Sequence, residues 1–149
     1  MRRTAIKGVS RKEAGGKEIT ILRAEAARVM KTLGVGHSER VYHRAMITAL
    51  NKRKVAHRSE VLSPIYFMGE TVGVGRCDLV INRVAVELKA NTRHPRRSLP
   101  QLRKYIWSLS KTEKKTFSGI IINFNQKTRM VQMCHVPPTD EKHPKGRAR

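Results

Sequence analysis

The spacing of apolar residues in the first third of the chain predicts two helices. Two stretches have apolar residues at intervals of three and four, and Gly34 and Gly36 between them suit a helix end. The apolar positions of the first stretch are Ile19, Leu22, Ala26, Val29, Met30 and Leu33. Those of the second, which begins near His37 or Ser38, are Val41, Tyr42, Ala45, Met46, Ala49 and Leu50.

The rest of the chain has the shorter apolar runs of strands, interrupted by one more helix. This helix covers residues 98–110, with Pro100 placed where a first turn tolerates it. Pro64 favours an edge position or a kink for the first strand. The predicted strands are residues 59–68, 71–81, 84–90, 117–124 and 129–136. This order of elements predicts an α/β (α+β) fold with a mixed central sheet flanked by helices.

Charge is the property of composition that adds most to this picture. The chain of 149 residues has 32 Lys and Arg against 11 Asp and Glu, a formal net charge of +21. Residues 19–135 alone contain 22 basic and seven acidic residues, so the predicted folded part is itself strongly positive. A field of this sign attracts polyanions, and DNA or RNA is the partner that it favours.

Composition also limits the class of protein. No stretch approaches the roughly 20 apolar residues of a membrane helix, and the first residues lack the apolar run of a secretory signal. Cys77 and Cys134 match no metal spacing or disulfide framework. We therefore expect an intracellular protein associated with nucleic acid, in a nucleus, a nucleoid or a virus particle. One domain is expected at residues 19–135, between a flexible basic arm at 1–18 and a disordered basic tail at 136–149.

Two carboxylates interrupt the predicted apolar hairpin of residues 77–90. If residues 82–83 form its turn, Asp78 lies directly opposite Glu87, and Lys89 shares the face of Glu87. Opposed residues of antiparallel strands have Cβ atoms roughly 4.5–5.5 Å apart, so the two like charges repel each other. A protein has little structural reason to build such a pair.

Two arrangements would relieve this repulsion. A divalent cation could bind between the carboxylates, since Mg²⁺ prefers oxygen ligands, or one carboxyl could keep its proton. With a cation present, Lys89 would stabilise developing negative charge or hold an attacking water. An ordinary salt bridge of either acid with Arg76 or Lys89 explains the same residues, and the spacing alone does not choose between these interpretations.

Other acidic residues favour a shared site. Glu39 lies along the apolar stripe of the second predicted helix, so we expect it to face inward, although the helix dipole also favours a carboxylate in a first turn. Glu60 begins the strand that leads into the hairpin. Four of the seven acidic residues of the predicted domain could then lie on or near one sheet face.

Five linked motifs follow one another along residues 19–135. They are Gly36-His37-Ser38-Glu39-Arg40-Val41-Tyr42; Glu60-Val61; the hairpin with Asp78-Leu79-Val80 and Val86-Glu87-Leu88-Lys89-Ala90; Gln101-Leu102 with Tyr105; and Gly119 with Asn123-Phe124. In this order and spacing the chain closely resembles the GxxExxY family of the PD-(D/E)xK nuclease superfamily. The resemblance implies a restriction-endonuclease-like core with a metal site at the hairpin.

The resemblance also implies roles for individual residues. Asp78 and Glu87 would be ligands of Mg²⁺ or Mn²⁺, and Lys89 would be the catalytic lysine. Glu39 would be a helix carboxylate that assists the metal or its water, and Gln101 a polar residue of the active site. The implied activity is that of an endonuclease acting on DNA, and a homodimer is the assembly that this analogy suggests.

Basic residues outside the hairpin are candidates for nucleic-acid contact. One cluster follows the second predicted helix, another leads out of the predicted site just after Lys89, and two residues lie on the third predicted helix. These residues are Lys52, Arg53, Lys54, Arg58, Arg93, Arg96, Arg97, Arg103 and Lys104. Solvated charged loops are the alternative interpretation of the two clusters.

Two functions stay open at this point. The retained site residues favour Mg²⁺-dependent hydrolysis of phosphodiester bonds. The net charge is high for such an enzyme, and the basic ends lie outside the shared core. Both features favour a non-catalytic, abundant DNA-binding protein of packaging type, in a virion or a nucleoid, that retains the nuclease fold.

Overall fold

The structure, a computed structural model, describes residues 15–138. Its helices are α1 (Gly16–Leu33), α2 (Glu39–Lys52) and α3 (Leu99–Glu113), with a 3₁₀ turn at Pro95–Ser98. Its strands are β1 (Arg58–Phe67), β2 (Glu70–Ile81), β3 (Val84–Lys89), β4 (Ser118–Phe124) and β5 (Val131–Val136). Most of the predicted arm and tail lies outside the described residues. Within residues 15–138, no helix has the length and hydrophobicity needed to cross a bilayer.

The five strands form one mixed sheet in the order β1-β2-β3-β4-β5. β3 and β4 run parallel, while the other neighbouring strands run antiparallel. The parallel pair needs a long connection, which α3 and the 3₁₀ turn provide. One hydrophobic cluster joins α1 and α2 to one sheet face, and a second joins α3 to the other face. The predicted fold class is therefore confirmed.

β4 is the most deeply buried strand, because helices cover both of its faces. All seven of its residues are buried. Ile120, Ile122 and Phe124 belong to the cluster under α1 and α2, and Ile121 belongs to the cluster under α3. Its continuous apolar run is the sequence pattern that burial on both faces produces.

Element boundaries differ from the sequence predictions by one to three residues. α1 begins at Gly16, so residues 16–18 belong to the helix and not to a flexible arm. The reason is local: the Ile19 amide donates a hydrogen bond of 2.9 Å to the Gly15 carbonyl and closes the first turn. β5 begins at Val131 because Arg129, with a φ of +60°, still belongs to the preceding turn.

β1 and β2 change the faces of their side chains at one shared point. In β2, Cys77 belongs to the cluster under α3, yet Leu79, two residues later, belongs to the cluster under α1 and α2. β1 reverses opposite this point, where Glu60 adopts a φ of +53°. Since residues two apart in a regular strand share a face, both strands are distorted here. We call this feature the paired bend of Glu60 and Asp78.

The turn that predicted the carboxylate register is present. Ile81 pairs with Val84, and Asn82 adopts the positive φ, +50°, that such a turn requires. The ladder between β2 and β3 continues to Leu79 and Val86 and ends there, immediately before the paired bend. The predicted register is confirmed as far as Leu79 and Val86. The ladder does not include the predicted pair of Asp78 and Glu87, because β2 leaves β3 at Asp78.

Gly119 sets how closely α3 approaches the sheet, which gives a test of the core. A Cβ atom at this position would lie 2.8 Å from Ile106 Cδ1 and 3.0 Å from Leu102 Cδ2. We expect Gly119→Ala to lower the free energy of unfolding by about 1–3 kcal/mol, because the core has no room for the methyl group. Urea unfolding measures this change. Gly73→Ala is the matched control, since its Cβ would meet Ile65 Cδ1 at an ordinary 3.6 Å; equal effects of the two substitutions would contradict the prediction.

Candidate active site

The candidate site lies where β2 departs from β3. The Leu88 amide of β3 donates a hydrogen bond of 2.8 Å to Asp78 Oδ2. On the other edge of β3, the ladder with β4 continues as far as Lys89. The Asp78 carboxylate therefore takes the place of a β2 carbonyl as the partner of the Leu88 amide. This hydrogen bond fixes Asp78 beside the residues that follow Val86.

Glu87 and Lys89 form the centre of the site. Glu87 is only 3 % exposed, and its Oε1 lies 3.0 Å from Lys89 Nζ. Lys89 Nζ also lies 4.0 Å from Glu39 Oε1, so the ammonium group bridges β3 and the first turn of α2. Glu87 Oε2 is buried and has no hydrogen-bond partner among the described residues 15–138.

Burial and charge together shift the pKa values of these groups. Burial, and then the Asp78 carboxylate, raise the pKa of Glu87 to about 7 against the attraction of Lys89. Burial also raises the pKa of Asp78, although its hydrogen bond from Leu88 opposes the shift. For Lys89, burial alone would lower the pKa, but the neighbouring carboxylates outweigh it and raise the pKa. The repulsion predicted between Asp78 and Glu87 is thus present, and so is the Lys89 salt bridge that was its alternative.

The structure corrects the expectation about Glu39 and the alternative that paired Arg76 with a central carboxylate. Glu39 was expected to face inward, but its side chain is 48 % exposed. It stands at the open mouth of the site, because it begins α2 and reaches Lys89 from the solvent side. Glu60 is also exposed and pairs with Arg76 at 3.4 Å, while its charge raises the pKa of Asp78. Arg76 therefore serves Glu60 and not the two central carboxylates.

The central residues fit a cation bound by two carboxylates better than one bound by three. Among residues 15–138, no three His, Cys, Asp or Glu side chains are grouped as metal ligands. Asp78 and Glu87 nevertheless offer oxygens on neighbouring strands, and Glu87 Oε2 is a buried acceptor without a partner. Mg²⁺ is often held by one or two carboxylates while substrate phosphates and waters complete its coordination. The donor set present fits such an ion.

Gln101 reaches the site through Tyr105. Its Nε2 donates a hydrogen bond of 2.9 Å to the Tyr105 hydroxyl, which also accepts one of 3.2 Å from the Arg76 amide. Tyr105 is buried in the cluster under α3. Its hydroxyl has a second role, which is to tie α3 to β2 beside the paired bend.

A single glutamine explains how Gly36 and Tyr42 position Glu39. The Gly36 amide donates a hydrogen bond of 2.7 Å to Gln126 Oε1, and Gln126 Nε2 donates one of 3.1 Å to the Tyr42 hydroxyl. That hydroxyl donates in turn to the Gly34 carbonyl at 2.6 Å. The loop before α2 is thereby fixed to the turn between β4 and β5, and Glu39 follows this loop directly.

His43 is a residue of the site that the sequence analysis left unassigned. It lies four residues after Glu39 and so on the same side of α2. Its Nε2 lies 3.2 Å from Ser59 Oγ, and its charge lowers the pKa of Asp78. The i, i+4 spacing from Glu39 was a signal that could have identified it.

The predicted nucleic-acid contacts fall into three groups. Arg53 pairs with Glu25 at 3.0 Å and Arg58 with Glu113 at 2.6 Å, so structural ion pairs already engage these two residues. Arg103 is half-buried on α3. The other predicted residues have exposed side chains; they are Lys52, Lys54, Arg93, Arg96, Arg97 and Lys104.

An ordered amide network holds the basic loop that follows Lys89. Asn123 Nδ2 donates a hydrogen bond of 3.1 Å to the Arg93 carbonyl, and Asn123 Oδ1 accepts one of 3.1 Å from the Asn91 amide. Asn123 is fully buried in β4. The exposed guanidinium groups of Arg93, Arg96 and Arg97 therefore extend from a backbone that is anchored beside the site.

Comparisons with known proteins agree with this geometry. A family model described as the PD-(D/E)XK nuclease superfamily matches residues 17–135. No curated protein gives a significant match. Of two matching solved chains, one is described as "Crystal structure of SSO0001", with a TM-score of 0.51 and 20 % sequence identity. That match covers 67 % of this chain and 50 % of the other, so this chain spans about half its length, and the likeness shows the fold alone.

The raised pKa of Glu87 predicts how stability depends on pH. The folded protein holds this proton more tightly than the unfolded chain does, so the stabilisation is complete below the ordinary pKa of 4.5 and is lost as the pH rises through about 7. Glu87→Gln keeps the shape without the charge. We compare the free energy of unfolding of the variant with that of the original protein, by urea unfolding with a chelator. As the pH rises from 5 to 8, this difference should shift in favour of the variant by on the order of 1–3 kcal/mol. A stability difference that is the same at both pH values would contradict this.

The role of Gln126 predicts a local effect at the loop before α2. Gln126→Ala removes the acceptor of the Gly36 amide and a donor to the Tyr42 hydroxyl. We expect a loss of about 1–3 kcal/mol in stability and faster hydrogen exchange of the Gly36 amide. Thr128→Ala, an exposed position of the same turn, is the control. Unchanged exchange at Gly36 would show that Gln126 does not hold this loop.

Proposed function

The chain belongs to the PD-(D/E)XK nuclease superfamily, and we propose that it is a Mg²⁺-dependent nuclease that hydrolyses phosphodiester bonds of DNA. The observation that carries this proposal is the pairing of Asp78 with a buried Glu87 whose Oε2 has no partner, directly beside Lys89. Gly36, Glu39 and Tyr42 further favour the GxxExxY subfamily. Mn²⁺ could replace Mg²⁺ at such an oxygen site.

Asp78 and Glu87 are the residues that would hold the cation. Bound there, it would supply Lewis-acid stabilisation of the negative charge that develops on the scissile phosphate. Asp78 is already fixed by the Leu88 amide, so one ligand needs little reorganisation. Glu87 must lose its proton to act as a ligand, so its raised pKa makes the cation compete with a proton, and cation binding weakens as the pH falls.

Lys89 is the residue that would act on the reacting groups. Its ammonium group, held by Glu87 at 3.0 Å and Glu39 at 4.0 Å, can donate a hydrogen bond to a phosphate oxygen or to an attacking water. Glu39 is half-exposed, so it can accept a proton from water at the open side of the site. Gln101, through Tyr105, would position the α3 side of the cleft.

The basic surface supports DNA as the substrate. Arg93, Arg96 and Arg97 extend from an anchored loop that begins just after Lys89, where a phosphate backbone would pass. Residues 19–135 would form the catalytic domain. The basic residues of segments 1–18 and 136–149 would add contacts that do not depend on sequence, on RNA as well as on DNA.

The net charge favours a second candidate function. A chain at +21 is suited to coat nucleic acid, and an abundant, tightly bound nuclease would endanger the genome that it covers. In this case the protein would be a non-catalytic packaging protein of a virion or a nucleoid that keeps the fold. It would bind DNA with a steep dependence on salt and would not turn over.

A plasmid cleavage assay separates the two functions. We expect the protein to nick supercoiled DNA with Mg²⁺ and to stop when a chelator is added. Glu87→Ala should lower this rate by a factor on the order of 10³ or more while DNA binding, followed by fluorescence anisotropy, changes little.

Glu18→Ala is the matched control, because Glu18 bonds Asn82 at the end of the sheet away from the site. It should cleave DNA at the original rate. If Glu87→Ala and the original protein cleave equally fast, the site around Glu87 does not carry the activity. If neither cleaves while both bind, the nuclease proposal is wrong and the packaging function is favoured.

A further inference from the structure

The exposed apolar side chains of the protein are concentrated on one hairpin. Nine large hydrophobic side chains are exposed in the part of the chain that the structure describes, and seven of these lie in residues 62–74. They are Leu62, Ile65, Tyr66, Phe67, Met68, Val72 and Val74. We call them the apolar hairpin surface. Leu62 and Val74 lie on one face of the hairpin and Ile65 on the other, because paired residues share a face and successive residues alternate. Exposed apolar side chains gathered in this way mark interaction sites on soluble proteins.

The charge distribution makes this surface unusual for the chain. The chain has 32 Lys and Arg residues, and residues 59–75 form its longest stretch without either, 17 residues. Two cations border this surface: Arg76 lies opposite Leu62 and pairs with Glu60, and Lys104 lines a cavity together with Ile65 and Tyr66. Glu60 and Glu70 of the stretch match these two cations in number, so a phosphate backbone finds no excess of positive charge here. A protein surface is the better fit.

The basic ends of the chain do not fit this surface either. Residues 139–149 contain a single apolar residue, Ala148. Gly15 and Pro138, where the described part of the chain begins and ends, line one cavity together with Asn82 and Arg83. This cavity lies at the turn end of β2, and the hairpin tip lies at the other end of that 12-residue strand, on the order of 40 Å away.

We propose that the apolar hairpin surface is where two copies of this chain associate. Two strongly positive molecules repel each other least where acidic residues balance the local positive charge, and apolar side chains of one copy can cover those of the other in a two-fold contact. Pro64 lies in the edge strand β1 and lacks an amide hydrogen, which limits pairing of backbones. Side chains such as Leu62 and Val74, 60 % and 58 % exposed, therefore carry the contact.

Association at this surface would deepen the proposed function, on which this step rests. The surface begins at Leu62, two residues from Glu60, so each copy has its candidate site at the border of the contact. Two sites then lie near each other, as cutting both strands of a duplex requires. The phosphates of DNA would also offset the repulsion between the copies, so DNA should promote the pair.

The salt dependence of association tests this inference without nucleic acid or catalysis. Raising NaCl from about 0.1 M to about 1 M shortens the Debye length from about 10 Å to about 3 Å and removes most of the repulsion. In sedimentation equilibrium of the full chain, we expect the dissociation constant of the dimer to fall about tenfold or more over this range. Ordinary contacts between opposite charges would weaken instead.

Substitutions locate the contact. The double variant Leu62→Ser/Val74→Ser should raise the dissociation constant at about 1 M NaCl by about tenfold or more, because both side chains leave the apolar surface. Met130→Ser is the matched control, since Met130 is equally exposed but lies in the turn before β5. It should dimerise as the original protein does, and all three proteins should unfold at similar urea concentrations.

Three results would overturn the inference. If the chain stays monomeric at about 1 M NaCl and also on a short DNA duplex, two copies do not associate at this surface, and a different protein is its partner. Dimers of the double variant as tight as the original would place the contact elsewhere. Growth beyond dimers without saturation would indicate unspecific association. Lys89→Ala separates this inference from the proposed nuclease function, because it should abolish cleavage and still form the salt-induced dimer.

Discussion

The candidate site depends on the paired bend of Glu60 and Asp78. In a regular antiparallel ladder, β2 would continue beside β3 and its backbone would bond β3 beyond Val86. The bend turns β2 away at that point, so Asp78 and not a peptide group receives the Leu88 amide. It also turns Cys77 and Leu79 to opposite faces of the sheet. One local distortion thus frees an edge of a central strand and fixes a carboxylate beside it.

The environment of Glu87 distinguishes it from the other buried carboxylate, Glu25. Among residues 15–138, neither residue has a hydrogen-bond partner for its buried Oε2. Glu25, however, lies between two arginines, with Arg53 at 3.0 Å and Arg28 at 3.7 Å, and so forms a structural ion cluster. Within the same described part of the chain, Glu87 pairs with one cation, Lys89, which it shares with Glu39, and the Asp78 carboxylate repels Glu87. One ammonium group does not balance these three carboxylates, and that deficit is the chemical reason to expect a further cation.

The sequence predicted the fold and the central residues because both leave regular patterns. Burial on two faces produces the apolar run of β4, and a tight turn needs a residue such as Asn82. The exposure of Glu39 was mispredicted. The apolar stripe of a helix indicates the direction of a side chain, but it does not indicate how deep the cleft in front of that side chain is. Gln126 went unnoticed because its partners, Gly36 and Tyr42, are more than 80 residues away in sequence.

The placement of the acidic residues bears on the choice between enzyme and packaging protein. Four of the seven acids in residues 19–135 gather around the paired bend: Glu39, Glu60, Asp78 and Glu87. The anchored arginines of residues 93–97 would bring a phosphate backbone to this same place. For a protein that only binds, these carboxylates would repel the ligand at the centre of its own basic surface and weaken the complex. A divalent cation reverses that repulsion, since it binds the carboxylates and the phosphate together. The acids therefore oppose binding alone and favour metal-dependent chemistry.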